Sequence, residues 1–354
     1  MAIINKPNNF FNTALWTGNN NARTVSGVGF QTDLLWEKCR SNTYSHILID
    51  SVRGITKQLS SNSDTLEATN AQGVTAFNSD GYVLGTQDEF ANNGNTFVGW
   101  SWKAGTSVSG TTTGSGTGKA YSGSVNTDSG FSIIKYVGNG TAGHTIPHNL
   151  GAAPSMVICK SISENRGWPI QHSGLTSAAY AIFLSSTGAQ ANNPAGGGTN
   201  TWNSTAASSS VVTLGNNANN NSNDQTYIMY SFAEKQGYSS IGSYVGNGNA
   251  NGPFIYTGFK PAFVMIKNTE TTSTNWVMID NKRPGYNSNN YQLFPNLNAI
   301  ETTNYGLDIF SNGFKPLTNL SWINENEDKM IYMAFAENPF VTSTGNGSTP
   351  TTAR

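Results

Sequence analysis

Two short segments place an acid and a guanidinium three residues apart. They are Asp50-Ser-Val-Arg53 and Asp280-Asn-Lys-Arg283, and each follows an apolar run, HILID or WVMID. An Arg held in this way can donate bidentately to a sugar or a carboxylate. The same spacing also makes a turn, in which Asp accepts backbone N–H bonds and pairs with the Arg. Asp50, Arg53, Asp280 and Arg283 are therefore the candidate ligand-binding residues. Gln171-His172-Ser173 stands at the corresponding place in the middle of the chain, without an Arg, so the fold does not require one.

Other chemistry finds less support. Glycoside hydrolysis needs two carboxylates across a cleft. Glu37, Asp50, Glu67, Asp88 and Glu89 are available near the front, but only Asp50 recurs by position. His144 and His148 have the four-residue spacing of zinc ligands on a helix, but Pro147 and a strand-like context remove the helix, and they read as polar loop histidines. Gly138-Asn-Gly-Thr-Ala-Gly143 fits G-x-G-x-x-G formally, but HTIPHN follows it, not a helix to hold a pyrophosphate. The acidic run Glu325-Asn-Glu327-Asp328 reads as a hairpin turn, and Trp16 and Trp168 as core rather than sugar platforms. The chain reads as non-enzymatic, with no catalytic residue, metal or cofactor.

The elements that must carry these residues recur three times. YVGNG occurs at Tyr136–Gly140 and Tyr244–Gly248, and LWTGNN stands in its place at the front. A segment of common plan follows each: GFQTDLLWEK, LGAAPSMVICK and GFKPAFVMIK, an apolar run closing on Lys. Each unit ends on an aromatic, alternating segment: FVGWSWKAG, YIMYSFAEK and MIYMAFAEN. Val98, Trp100 and Trp102 fall on one face, as do Ile228, Tyr230 and Phe232. Repeats at this scale outrank most other signals. The expected fold is all-β, three tandem antiparallel β-sandwich repeats with under about 10% helix. The boundaries are 1–105 with a short N-terminal arm, 129–236 and 237–341. Residues 106–128, rich in Gly, Ser and Thr, read as a flexible linker, and 342–354 as a C-terminal tail.

Charged residues make up 11% of the 354, with net charge −1, which argues against a DNA or anionic-membrane footprint. MAIINKPNNF lacks the basic and apolar regions of a secretion signal, and no apolar stretch approaches the roughly 20 residues of a spanning helix. Cys39 and Cys159 lie in different units, so no mutual bridge is expected.

The motifs FNTALWTGNN, SGVGFQTDLLWEK, FNSDGYVLG and FVGWSWKAG, with GPFIYTGFKPAFVMIK and IYMAFAENPF, resemble an uncharacterised repeat family of tailed, mostly marine bacteriophages. The resemblance covers most of the chain. It departs at Thr32, where Pro is usual, and through Gly167–Ser210. It implies a virion-exterior protein on tail or capsid, with other phage virion proteins and a host cell-surface glycan or protein as partners, as a homo-oligomer. A tail-associated receptor-binding role stands first and capsid decoration, head fibre or neck fitting second. A depolymerase, lacking paired carboxylates, stands last.

Overall fold

The computed structural model describes residues 3–192, 201–304, 306–344 and 347–350. The fold is all-β. Helix among these residues is confined to a 3₁₀ turn at Pro7–Asn9 and three single turns, Asp88–Ala91, Ala218–Asn221 and Ser321–Asn324.

Three large antiparallel sheets share one strand order. In the first, Phe11–Thr17 pairs with Thr96–Trp102, which pairs with Leu34–Cys39, then Ile47–Asp50. The second runs Phe131–Val137, Thr226–Phe232, Met156–Ser161, Pro169–His172, and the third Ser239–Val245, Lys329–Pro339, Phe259–Asn268, Val277–Asp280. Each is covered by a three-stranded sheet, built around Gly81–Leu84, His144–Pro147 and Gly313–Pro316 respectively. We call the three sheet pairs units 1, 2 and 3.

The central strands are buried on both faces, unlike those of a free sandwich. Alternation separates two cores. Leu35, Val157 and Val264 face the small sheet of their own unit. Leu34, Trp36, Met156, Ile158, Phe263 and Met265 enter one cluster shared by all three units. Val98, Trp100, Trp102 and Ile228, Tyr230, Phe232 lie in that shared core, on the common faces that alternation assigned them. At its centre Trp102, Phe232 and Phe335, the same position in each unit, contact one another. Ring centroids are 6.3 Å apart for Trp102–Phe232, 5.6 Å for Trp102–Phe335 and 5.9 Å for Phe232–Phe335. Such geometry adds about 0.5–1.5 kcal/mol per pair beyond burial.

Lys38, Lys160 and Lys267, the residues closing each apolar run, end the shared core. All three are buried, and each ammonium donates to the next residue's carbonyl. Burial pushes the first two down to about 8 and Lys267 to about 7.

The repeated YVGNG has a local cause. Gly138 and Gly246 donate to the Gln225 and Asp328 carbonyls, and a Cβ on either would lie 2.3 or 2.0 Å from the Ser222 or Glu325 oxygen. Asn139 and Asn247 donate their backbone N–H to the side chains of Asn221 and Asn324, the last residues of two of the helical turns.

The stretch 106–128 is not a flexible linker. Thr106–Thr111 and Ala120–Asn126 pair as a ribbon on the edge of the second large sheet, in register with Phe131–Val137. Gly and Ser there serve as edge-strand residues, because the sheet edge supplies backbone partners that side chains do not. Of the expected tail, Val341–Thr344 and Gly347–Pro350 form a hairpin, while residues 345–346 and 351–354 lie outside the described residues, as does 193–200.

Because the core is common property, truncation of one axial ring should weaken all three units together. Phe335→Ala should cost about 3–5 kcal/mol and shift one cooperative denaturant transition, whereas Leu15→Ala, exposed at 41%, should shift it little. Residues 129–354 alone should bind a hydrophobic dye as a loosened state. Sharp independent unfolding of that fragment would contradict a shared core.

Candidate functional site

The Asp–Arg loops sit inside the molecule. The side chains of Asp50, Arg53, Asp280 and Arg283 are all 0% exposed. Asp50 Oδ1 accepts from the backbone of Val52 and Arg53, and Asp280 Oδ1 from that of Lys282 and Arg283, which is the expected turn. Arg53 Nε pairs with Asp50 Oδ2, and Arg283 Nε with Asp280 Oδ2 at 2.7 Å. The remaining guanidinium nitrogens donate to the Leu48, Lys57 and Met278 carbonyls and to Glu67 and Glu301. Every guanidinium nitrogen has a partner within the protein, and burial closes both side chains to a ligand. The fork that could grip a carboxylate grips Glu67 and Glu301, whose role the sequence concealed because they lie 14 and 18 residues beyond the arginines.

These loops lock the units in a ring. Tyr230 of unit 2 donates its hydroxyl to Asp50 Oδ2 of unit 1 at 2.7 Å. Trp100 of unit 1, at the same strand position, donates Nε1 to Asp280 Oδ2 of unit 3 at 3.0 Å. Unit 3 has Met333 at that position, which cannot donate. There the unit 2 residue at the Asp position, His172, reverses the bond, and its Nε2 donates to the Tyr332 carbonyl at 3.2 Å. The tautomer follows from Nδ1, which accepts from the Gly174 N–H. Farther out, Trp168 Nε1 reaches the Ser60 and Ser63 carbonyls of unit 1, and Trp276 Nε1 reaches Phe183 of unit 2.

The remaining candidates are structural as well. His144 is buried between Asn221 and Thr112, and His148 bonds Ser208 and Leu150. Trp16 and Trp168 are core residues. Cys39 and Cys159 are free and buried. Asp328, in the acidic run, accepts from Asn268 and Thr271, fastening the turn. Among the described residues no group of three His, Cys, Asp or Glu side chains is placed to hold a metal.

What the loops do present is their outer residues. Ser51, Ser173 and Asn281, each one residue past the locked position, line a surface cleft in unit 1, 2 and 3. The opposite wall is again equivalent: Gln31, Ala153 and Lys260, two residues after the glycine that opens each central segment. The clefts measure about 540, 400 and 240 Å³. Their chemistry differs. The first is walled by serines of the ribbon and by Asp33, raised above the usual carboxylate range by burial and already bonded to Ser51 and Ala104. The second is lined by Ala153, Pro154 and Leu175, with both ends of the Gln171 amide bonded. The third carries Lys260, Glu337, Asn281, Asn289 and Tyr286.

The family model described as "Domain of unknown function (DUF7483)" matches residues 6–339. No curated protein and no solved structure matches the chain.

Two substitutions test the lock. Tyr230→Phe removes one bond to a buried charge and should cost about 1.5–3 kcal/mol; Arg53→Met strands Asp50 and should cost about 3–5 kcal/mol. Equal stability of Tyr230→Phe and wild type in urea would refute the lock. The seam also titrates. Burial pushes His172 down to about 4, against the Tyr332 carbonyl bond, which favours the proton. Between that value and about 6.5 the unfolded chain takes up a proton that the folded chain refuses, so stability is full above this window and lost as pH falls through it. From about pH 7.5 to 5 this group should remove about 2 kcal/mol. His172→Gln, which keeps a donor without titrating, should show a smaller loss by that amount; an identical loss in both proteins would exclude His172 as its source.

Proposed function

The chain belongs to the DUF7483 family, and we propose that it is a non-enzymatic recognition protein of a phage virion exterior, contacting the host surface through its loops. The observation that carries this reading is the set of three clefts. They occupy one position on a repeated framework, and their walls differ in charge, polarity and apolar content. A framework held constant under variable loops is the usual architecture of recognition surfaces. The lock supports it too, because rigid units lose little entropy in presenting preformed sites. Each cleft alone suits a weak contact, and copies on one particle would raise avidity by about 10²–10⁴.

Exposed aromatics in unit 3 support a second kind of contact. Phe254 and Phe310 pack edge to face at 5.7 Å beside Tyr256, which is 61% exposed. A patch of this kind suits seating on another virion protein.

The test joins localisation to adsorption. Antibody-labelled particles should show the protein on the outside, and multimerised protein should adsorb to host cells and compete with particles. Particles that lose head integrity without it but adsorb normally would favour the decoration role. Sugar release from host polysaccharide by the purified protein would overturn a non-enzymatic reading.

A further inference from the structure

We propose that the unit 3 cleft binds one residue of a neutral saccharide through hydroxyl donors. This rests on the reading of the clefts as recognition sites and names the ligand class of one of them. The unit 3 cleft differs from the other two in the open valences of its lining. Asn289 is 1% exposed and lines the cleft. Its Nδ2 donates to the Asp280 carbonyl at 2.6 Å, so the other amide atom is an oxygen, and that Oδ1 has no partner in the chain. Asn281 Oδ1, in the same cleft, is buried and unpartnered too. Each such acceptor left unmet carries a desolvation cost that an incoming donor relieves.

Asn287 and Lys260 of the cleft are already engaged. Asn287 uses both ends of its amide on the backbone of Ile309, at 2.9 and 3.0 Å. Lys260 Nζ lies 2.7 Å from Glu337 Oε2, so the two charges cancel, and that oxygen, which accepts no hydrogen bond, is a further buried acceptor of the cleft. The cleft therefore offers acceptors without net charge. An anion would meet two carbonyl oxygens and an ammonium that already has a carboxylate. A neutral polyol brings the O–H donors required and can replace water at those positions. Tyr286, 73% exposed, borders the same cleft, and Ile309 adds an apolar wall. A pyranose has both faces: hydroxyls for the two amide oxygens and a C–H face for the phenol ring. At about 240 Å³ the cavity lies below the usual range for drug-sized ligands, which limits it to a single sugar unit.

The experiment is saturation-transfer NMR on the full chain with glucose, galactose, mannose, N-acetylglucosamine and sialic acid, with ammonium and calcium chlorides titrated separately by isothermal calorimetry. At least one neutral sugar should bind in the millimolar range, through its ring C–H protons. Its affinity should hold from about 50 to 500 mM salt, since no ion pair forms. Tyr286→Ala should weaken binding about tenfold or more with unchanged thermal unfolding, because that ring is exposed. Asn281→Leu should weaken it as well. The proposal is overturned if no neutral sugar binds up to about 100 mM, if only sialic acid, ammonium or calcium binds, or if Tyr286→Ala binds as wild type does. Cell adsorption without sugar binding would remove this proposal and leave host recognition standing. Sugar binding without cell adsorption would keep the cleft and remove the host-recognition role.

Discussion

The contact of Trp102, Phe232 and Phe335 on the common axis is what the rest of the molecule depends on. Trp102 and Phe232 end Thr96–Trp102 and Thr226–Phe232, and Phe335 holds the matching position within Lys329–Pro339, so bringing the three together fixes where all three large sheets begin to diverge. The residues two and four positions earlier then fall into one core, and the sheets become two-sided. A sandwich in isolation would expose that second face. Here each unit supplies its neighbour's missing layer, and a polar chain with few charges obtains a large continuous apolar interior.

Burying the second faces also buries polar groups, and the seams are where they are matched. Asp50 and Asp280 would carry an unacceptable charge in such a core without Arg53 and Arg283. The donors from Tyr230 and Trp100 complete their shells from across the seam. The His172–Tyr332 bond shows that geometry, not residue identity, is preserved. When Met333 removes the donor, the acceptor position becomes the donor. The same logic makes His172 sensitive to acid, since a protonated ring would be an unmatched charge at that seam.

The proposed recognition role rests on what the lock leaves outside. The loops that hold Asp50, His172 and Asp280 inward turn outward at the next residue, and Ser51, Ser173 and Asn281 therefore line the clefts in front of the locked side chains. A rigid anchor beneath a variable lining gives three preformed clefts of unlike chemistry. In unit 3 the loop from Pro284 to Asn290 adds an aromatic lip, and Asn281 and Asn289 leave amide oxygens in the cleft without donors.

Much of this was legible in the linear chain. Alternation in FVGWSW and YIMYSF assigned Trp100, Trp102, Tyr230 and Phe232 to common faces, because strand geometry alone dictates a period of two. YVGNG marked a turn that opens a repeated unit, and Asp-x-x-Arg marked a turn locked by its own acid. The sequence could also point to the loops after Asp50 and Asp280 as distinctive places. It could not tell which of their residues face water. Charged side chains are ordinarily exposed, and only the meeting of three sheets made this position interior. Nor could it show that Glu67 and Glu301 complete the guanidinium shells, that Thr106–Asn126 is a ribbon rather than a linker, or that Asn281 and Asn289 open on one cavity. Those facts depend on residues far apart in the chain arriving side by side, which local propensity does not encode and tertiary packing decides.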